Sequence, residues 1–585
     1  MKIAISFLLL LTTGAVNPVY CSCFNGAVIR FDDSLIHLHN VNYGYTDPHS
    51  DTISRIRFLW YPLKSIEDLF NFIPGYYLKF RDIGQVNPLY FNQNHNTKLY
   101  KNGIPFDDDI NFLSRNEIQT IESDNGFGNS PYTSFNSVNF TERQTFTYRP
   151  FTEISFFQDR YENLFFDGSY SQNIFNNFNV AFGLTKHSYD GHYVNSDFDK
   201  WLGRIRLQYL PFKRLRLFCG FGYGNIERGE YGGLRAGSID ITDKNVVFNR
   251  TRALVKNANG RIRKERFQLS GGLLLNWSRD NVSELVIYSN RKNTTLSNQT
   301  VADSVFTNLS YTNGNNGLRL SQLISFKYSK IKINSRTEVA ADLPWSDSYH
   351  NSSEQIISDR KLMFMQEISG KFGFLTPVLY FKAHKKLNGN NNSTSSGYGI
   401  KAISDFRIGL HEKIQADIFY RRQNNYFRAK ASFYFKYGYL SPEFYHYTDY
   451  EDISGVNFSM KLKISKINLE LIYSKATGRE VNSLPEHYGN INLFYEDTGF
   501  KNKLHFRIGT VSRFWSRYTD DSVDISGNFT FDFYIKGKIG RAYFGIVFEN
   551  IFDRIIYNSG FYPFTDRGGL FNALSRFEII WNFTD

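Results

Sequence analysis

The sequence predicts a membrane all-β protein, an antiparallel transmembrane barrel of about 22 strands, on three observations. From Arg149 onward, apolar and polar residues alternate over strand-length runs, so each run has one greasy and one wet face. The joins between runs fall into two alternating classes, tight turns and longer loops, as in outer-membrane barrels. Aromatics make up 17% of the chain, with 56 Phe and 39 Tyr, yet mean hydropathy is only −0.40. No run of about 18 apolar residues follows the N-terminus, so no helical membrane bundle is present.

Met1 to Cys23 reads as a secretory signal, with Lys2 as charged start and Ile3 to Leu11 as apolar centre. Cleavage is expected near Cys21 to Phe24. Acylation of Cys21 is the weaker alternative, because Val19-Tyr20 is a poor lead-in. Cys219 shares the apolar parity of Leu217 and Phe221 and is expected to be a small hydrophobe. No disulfide framework follows from 3 Cys.

Residues 24–148 do not sustain barrel alternation. Ser65-Ile66-Glu67-Asp68-Leu69-Phe70 predicts a short amphipathic helix capped by Ser65 and ended by Pro74-Gly75. Short strands are expected around Tyr76 to Phe80, Pro88 to Phe91, Lys98 to Tyr100 and Ile118 to Glu122, with Asn102-Gly103 as a hairpin turn. This is a small α+β domain of roughly 100 residues. The expected organisation is a signal over 1–23, this domain over 24–148 and the barrel over 149–585.

Within the barrel, Val456, Phe458, Met460, Leu462 and Ile464 face one way, and Ser465-Lys466 turns the chain into Ile467, Leu469, Leu471 and Tyr473. Tight joins are also expected at Tyr328-Ser329, Leu410-His411-Glu412 and Gly537 to Gly540. Long ones are expected at Ile226 to Lys264, Arg291 to Gly314, Ala341 to Ser358 and Ile551 to Asn572. Joins near Asp159 and Asn424 are short where the alternation asks for long. Three final strands end the chain, the last carrying Phe577, Ile579, Trp581 and Phe583 on one face. Phe531, Leu469 and Ile579 are predicted to face lipid, and Asp532, Glu470 and Glu578 the lumen. Arg204, Arg206, Arg214 and Arg216 are also predicted to face inward. Pairing with plug-side acids such as Asp107 to Asp109 is favoured over an anion path.

The net charge of +12 is scattered, without the clustered footprint of a nucleic-acid binder. His37, His39 and His49 lack partners at ligand spacing, so no metal site is predicted. Asp107-Asp108-Asp109 lacks the glycine and distal glutamate of a calcium loop. Gly222-Tyr223-Gly224 and Gly232 to Gly237 lead into no nucleotide-binding helix and suit a flexible rim. No nucleophile elbow or catalytic residue is found, and no cofactor is implied.

The two ends of the chain resemble the TonB-dependent receptors of Gram-negative outer membranes. Ser65 through Leu69 to Pro74-Gly75-Tyr76-Tyr77 is similar to the family's helix and turn into the first plug strand. Leu99-Tyr100-Lys101-Asn102-Gly103-Ile104-Pro105-Phe106 is similar to its plug hairpin, and Asn116 through Ile118 to Glu122 to its closing plug strand. Near the C-terminus, Phe548-Glu549-Asn550-Ile551-Phe552-Asp553-Arg554, Tyr557, Gly560-Phe561-Tyr562-Pro563, Asp566-Arg567-Gly568 and the last aromatic strand with Phe583 follow the family pattern. Two features depart from it. Asn92 to Asn96 replaces the usual Arg-Gly before the hairpin, and Ser123-Asp124-Asn125-Gly126 replaces the closing Gly-Pro. The resemblance implies a plug inside a 22-stranded barrel, embedded in outer-membrane lipid and importing a bulky or scarce nutrient. It also implies an inner-membrane TonB-type transducer as partner, with Ala27, Val28 and Ile29 the nearest candidate coupling segment. The alternatives are a passive porin-like or structural barrel with a residual plug, or an outer-membrane enzyme.

Overall fold

Alternation of this kind closes 22 antiparallel strands into one barrel. The computed structural model describes residues 51–584 apart from 79–88, 92–96, 107–108, 125–135, 233–253, 302–303, 350–359, 388–392, 479–483, 555–573 and one to three residues in several turns. The first barrel strand, Phe151–Gln158, pairs with the last, Leu574–Thr584, from Phe577↔Gln158 to Thr584↔Phe151. Closure satisfies every ladder, which a strand edge in hydrocarbon could not.

The pleat sorts side chains as the alternation predicts. Phe529 and Ile535 are 47% and 39% exposed, whereas Thr530, Asp532 and Lys536 on the same strand are at most 4% exposed. Phe531, Leu469 and Ile579 lie on the outward parity, half-buried against neighbours, while Asp532, Glu470 and Glu578 turn into the lumen. Exposed Ile205, Phe221, Ile287, Leu320, Leu379 and Ile400 extend the apolar belt around the wall. A belt of this extent belongs in lipid, and the closed barrel places the chain in the outer membrane. Cys219 is a free, half-buried thiol.

On one rim every join spans five residues or fewer, as at 176–177, 213–214, 465–466 and 540–541. Those short turns mark the periplasmic rim. On the opposite rim, 230–260 and 550–573 run long, while 159–163 and 422–425 are short. Two expected loops prove to be strand. Arg291 to Gly314 continues the hairpin of Val282–Val301 and Ser304–Tyr328, with pairing out to Val301↔Ser304. Likewise Ala341 to Tyr349 continues Ile331–Tyr349. These Asn-, Ser- and Thr-rich stretches are polar on both faces, so the ladder persists where the alternation signal fades. Gly222 and Gly224 belong to the strand Leu215–Gly229 rather than to a flexible rim.

The N-terminal domain is a mixed sheet in the order β1-β6-β7-β4-β5. Its strands are β1 (Asp51–Ser54), β4 (Thr97–Lys101), β5 (Ile104–Phe106), β6 (Ile118–Asp124) and β7 (Asn136–Glu142). A second pair is formed by β2 (Tyr76–Leu78) and β3 (Leu89–Phe91). Helix α1 (Arg55–Trp60) and a 3-10 helix, Glu67–Phe72, complete it. Leu69, Phe70, Leu99, Ile121, Val138 and Phe140 share one buried cluster with barrel residues Leu202, Ile226, Phe494, Val511, Tyr534 and Val547. The domain therefore fills the lumen as a plug, its core continuous with the wall.

The expected Ser65 cap is not made. The Asp68 carboxylate accepts from the backbone N–H of Lys64 at 2.7 Å and of Ser65 at 3.1 Å instead. This first-turn carboxylate fixes the chain entering the helix rather than capping the helix's own N–H groups, and its charge suits the helix N-terminus.

Candidate functional site

Two features distinguish the lumen: the contacts that seat the plug and a basic, aromatic wall toward the loop rim. At Pro74-Gly75 the chain needs φ 85° at residue 75, which glycine adopts without penalty. The Gly75 N–H donates to Ser474 Oγ at 2.9 Å, and Tyr488 donates to the Gly75 carbonyl at 2.8 Å. Asn490 donates to the Asn71 carbonyl at 3.1 Å. Tyr77 then packs its ring 5.2 Å from Tyr488 and bonds the Tyr518 hydroxyl at 3.3 Å. The motif thus latches the plug to the wall.

Toward the short-turn rim the seat is ionic. Arg55 donates to the carbonyls of Arg115 and Ile118, at 3.0 and 3.2 Å, and pairs with barrel Glu153. Glu153 also takes Arg143 at 2.9 Å. Tyr61 donates to Glu470 at 2.9 Å, and burial, then that carboxylate, pushes its phenol well above the usual tyrosine range. Lys536 donates to the Tyr61 carbonyl at 2.5 Å and pairs with Glu578. At the other end of its strand, before the 550–573 join, Glu549 pairs with Lys64. Buried charges persist only when partnered, and here each partner crosses between plug and wall or braces one that does.

The hairpin turn at Asn102 and Gly103 has φ 52° and 71°, as a tight two-residue turn requires. Gly103 donates to Asn139 at 2.9 Å, and the Arg319 guanidinium, held by Glu284 at 2.6 Å, lies against it. A Cβ at Gly103 would fall 1.8 Å from Arg319 Nη1, so the tip is shaped to this wall. Beside it, Lys101 pairs with Glu117 and lies 3.5 Å from Glu142. Burial outweighs Lys101 and raises the Glu117 carboxyl; for Glu142, Lys101 and Arg206 overcome burial and hold it low.

One inward arginine, Arg206, meets a plug acid as expected, though outside the run 107–109, and the others find different partners. Arg206 meets Glu142 at 3.3 Å, Arg216 bonds Gln144, and Arg204 meets barrel Asp167 at 3.1 Å. Asp167 in turn accepts from the Asn116 N–H at 3.0 Å and from Ser114 at 2.5 Å. Arg214 is exposed in the 213–214 turn and does not face the lumen. Asp109 pairs with Lys264 at 2.7 Å, while Asp107 and Asp108 lie outside the described residues. A sequence cannot say which inward cation meets which acid, because that depends on how the plug is turned in the barrel.

The second feature lies on the strands Leu375–Leu387, Ser393–Arg407, Lys413–Arg421, Tyr426–Phe435 and Gly438–Thr448. Phe419, Tyr426, Tyr445 and Tyr447 form a buried lumen cluster joined by Tyr380. Tyr426 begins a strand descending from the loop rim and Tyr447 nearly ends one rising to it. Ring centroids step from Tyr380 to Phe419 at 6.2 Å, to Tyr426 at 5.7 Å and to Tyr447 at 6.3 Å. Arg421 lies 6.0 Å from the Tyr426 ring. Among the described residues, Lys382, Lys401, Arg421 and Arg428 are buried on these five strands, against Asp417 and Glu443. Asp417 is shared by Lys401 at 3.1 Å and Arg428 at 2.9 Å.

A 22-stranded barrel filled from its N-terminal side by a small mixed-sheet domain is a distinctive combination. This is the TonB-dependent receptor fold. The ferripyoverdine receptor of the outer membrane of Pseudomonas aeruginosa superposes with a TM-score of 0.70 at 11% identity, covering 91% of this chain and 86% of that one. The siderophore receptor PirA from Acinetobacter baumannii gives 0.67 at 10% identity, covering 93% and 99%. The ferric-catecholate import receptor Fiu from E. coli K12 gives 0.70 at 11%, covering 92% and 97%. No family model and no curated protein matches the sequence itself.

Of the residues that carried the resemblance, Leu69, Ile118 and Glu122 are buried in the plug of this receptor fold, and Pro74, Gly75, Asn102 and Gly103 form two of its turns. The Asn550 N–H donates to Asp532 at 2.8 Å, and the Phe552 ring lies 4.9 Å from that of Phe531. Asp553 closes the short helix Ile551–Arg554 with Arg554. Phe583 packs on Trp581 at 5.5 Å. Gly560, Tyr562, Pro563, Arg567, Ala27, Val28, Ile29 and the three histidines at 37, 39 and 49 lie outside the described residues. Among the described residues no group of three or more His, Cys, Asp or Glu side chains could hold a metal. Glu470 was placed in the lumen from the sequence, but the groups at 55, 61, 153 and 536 were not singled out. Charged residues at lumen parity were the available signal.

Proposed function

We propose that this chain is a TonB-dependent transporter that imports an anionic, aromatic-bearing iron chelate through the plugged barrel. The buried basic and aromatic wall carries the reading. Buried Lys382, Lys401, Arg421 and Arg428 give this wall a positive bias that favours an anion, and the ring cluster, with Arg421 6.0 Å from the Tyr426 ring, adds an apolar and cation–π element beside it. The names of structurally similar receptors, which bind ferripyoverdine or import ferric catecholates, supply the chelate class. Transport rather than catalysis is supported by the similar structures, which are named as an import receptor and an iron transporter.

Energy coupling is the second half of the proposal. A transducer captures an extended segment by strand addition, which needs exposed backbone rather than a particular side chain. Ala27 to Ile29 is the candidate, and proline at Val28 or Ile29 removes a ladder donor. Cells with and without the transducer, carrying wild type or the proline variant, are grown under iron limitation on a panel of ferric siderophores. Growth on one chelate only with both transducer and wild-type segment is the expected result. Equal growth in all four strains means passive passage and sinks the coupling half. Unchanged chelate binding, by quenching of tryptophan fluorescence, in Arg421→Gln with Lys382→Gln would sink the ligand half.

A further inference from the structure

The two rims of the barrel differ in charge as well as in loop length. On the long-loop rim the exposed cations meet carboxylates: Arg261 pairs with Asp197, Arg263 with Glu227 and Glu265, and Lys475 with Glu486. On the short-turn rim only some do. Lys466 meets Asp497 at 2.6 Å and Lys413 meets Asp405 at 3.1 Å. Among the described residues no carboxylate pairs with the exposed Lys371, Lys436, Lys463 or Lys501.

The same rim holds the barest apolar side chains. Phe500, Phe212, Ile408, Phe175 and Ile464, from 79% down to 63% exposed, are the most exposed large hydrophobics among the described residues, and all lie in or beside short turns. A cation stands next to most of them. Lys501 follows Phe500, Lys213 follows Phe212, Arg407 precedes Ile408 and Lys463 precedes Ile464, while Lys371-Phe372 and Lys436-Tyr437 repeat the pair in two further turns. These turns recur from the strand Leu164–Phe175 round to His487–Gly499, so the pairs ring the barrel instead of marking one side. Aromatic girdles are general to such barrels, but an unbalanced ring of cations beside one of them is not required by the fold.

We propose that the short-turn rim is a collar for anionic phospholipids of the periplasmic leaflet. Each apolar tip enters the boundary between acyl chains and headgroups, and the neighbouring Lys or Arg extends its charge on a flexible stem to a lipid phosphate. A leaflet rich in anionic lipid attracts exposed cations, whereas a zwitterionic one does not. A soluble acidic partner would cover one arc and leave the remaining apolar tips in water. A ring of lipid touches them all, as the spread of these turns requires. The inference needs the barrel and its membrane but not the transporter reading above.

The full-length protein is reconstituted in phosphatidylcholine bilayers with traces of spin-labelled phosphatidylglycerol or spin-labelled phosphatidylcholine. Electron paramagnetic resonance reads the fraction of each lipid immobilised by the protein. At low salt the phosphatidylglycerol should associate roughly threefold more strongly than the phosphatidylcholine. The preference should fade as salt rises through about 0.5 M, where exposed charges are screened. Lys371→Gln with Lys436→Gln, Lys463→Gln and Lys501→Gln should bring the ratio close to parity, and arginine at the same four positions should keep it. Arg263→Gln with Glu265→Gln, a charge-neutral change on the opposite rim, should leave it unchanged. Equal immobilisation of the two lipids by wild type overturns the proposal, and so does a preference that survives the four glutamines. Absence of lipid preference together with lysine-dependent binding of soluble polyglutamate also overturns it and makes the rim a surface for an acidic protein. Should the fourfold variant fail to insert, Lys371→Gln with Lys436→Gln and Lys463→Gln with Lys501→Gln are made separately. Each should lower the ratio, and unchanged ratios in both count against the collar.

Discussion

Asp109 illustrates how a single side chain ties plug to barrel. Burial alone would raise its carboxyl, but Lys264 at 2.7 Å, with Lys292 and the Asn111 N–H, holds it down at about 2. Its folded value lies below the ordinary carboxylate range near 3.9, so the tie stabilises the protein above that range. Its contribution is lost as pH falls through about 2. Asp109→Asn should leave Lys264 buried without its counter-charge, a change that costs about 3 kcal/mol in comparable buried pairs. Limited proteolysis and thermal melting in detergent should show a looser plug in the variant at pH 5 to 8, about equally across that range. The gap to wild type should narrow below about pH 4. A gap that stays constant down to pH 2 would mean Asp109 acts by shape rather than charge. That Asp109 would carry a charge pair was legible as a favoured role for the acidic run, but its partner was not, since Lys264 is 155 residues away in sequence.

Elements were read best where one face meets lipid and the other water, because that contrast writes period two into the chain. The hairpin of Asp452–Ile464 and Ile467–Thr477 turns at Ser465, whose φ of 57° fits the expected tight turn. Strands escaped notice where the contrast vanished, as in Arg291 to Val301, polar on both faces. β7 escaped for a different reason. Val138 and Phe140 do alternate with Ser137, Asn139 and Thr141, but the segment is short and pairs in parallel with β4, each residue with one 39 positions earlier. The last strand is the element on which closure depends. Leu574–Thr584 is hydrogen-bonded on both sides, to Ala542–Glu549 and to Phe151–Gln158. Removing Phe577 to Asp585 should therefore leave two unpaired edges in hydrocarbon and abolish insertion. Outer-membrane fractions blotted for the truncated chain at wild-type abundance would refute this.

At the scale of the whole molecule, barrel and plug make one buried cluster, so neither is complete alone. A barrel of 22 strands encloses more space than its own side chains can fill, and the plug supplies the missing core. The sheet order dictates how that plug must be removed to test its role. Cutting Ser65 to Glu122, the segment marked by sequence, would strand β1 and β7, which both pair with β6. Deleting 51–142 takes the sheet out whole and leaves the Phe151–Gln158 strand to close with Leu574–Thr584. The exposed cost falls on lumen residues that lose plug partners, chiefly Glu153, Glu470 and Lys536, but the emptied lumen would be flooded and these groups solvated. The barrel should therefore still insert. Liposomes carrying it should swell rapidly in isotonic small sugars, and liposomes with the intact protein should not. If the intact protein leaks as fast as the deletion, the plug is no barrier, and a passive porin becomes the better account of the fold.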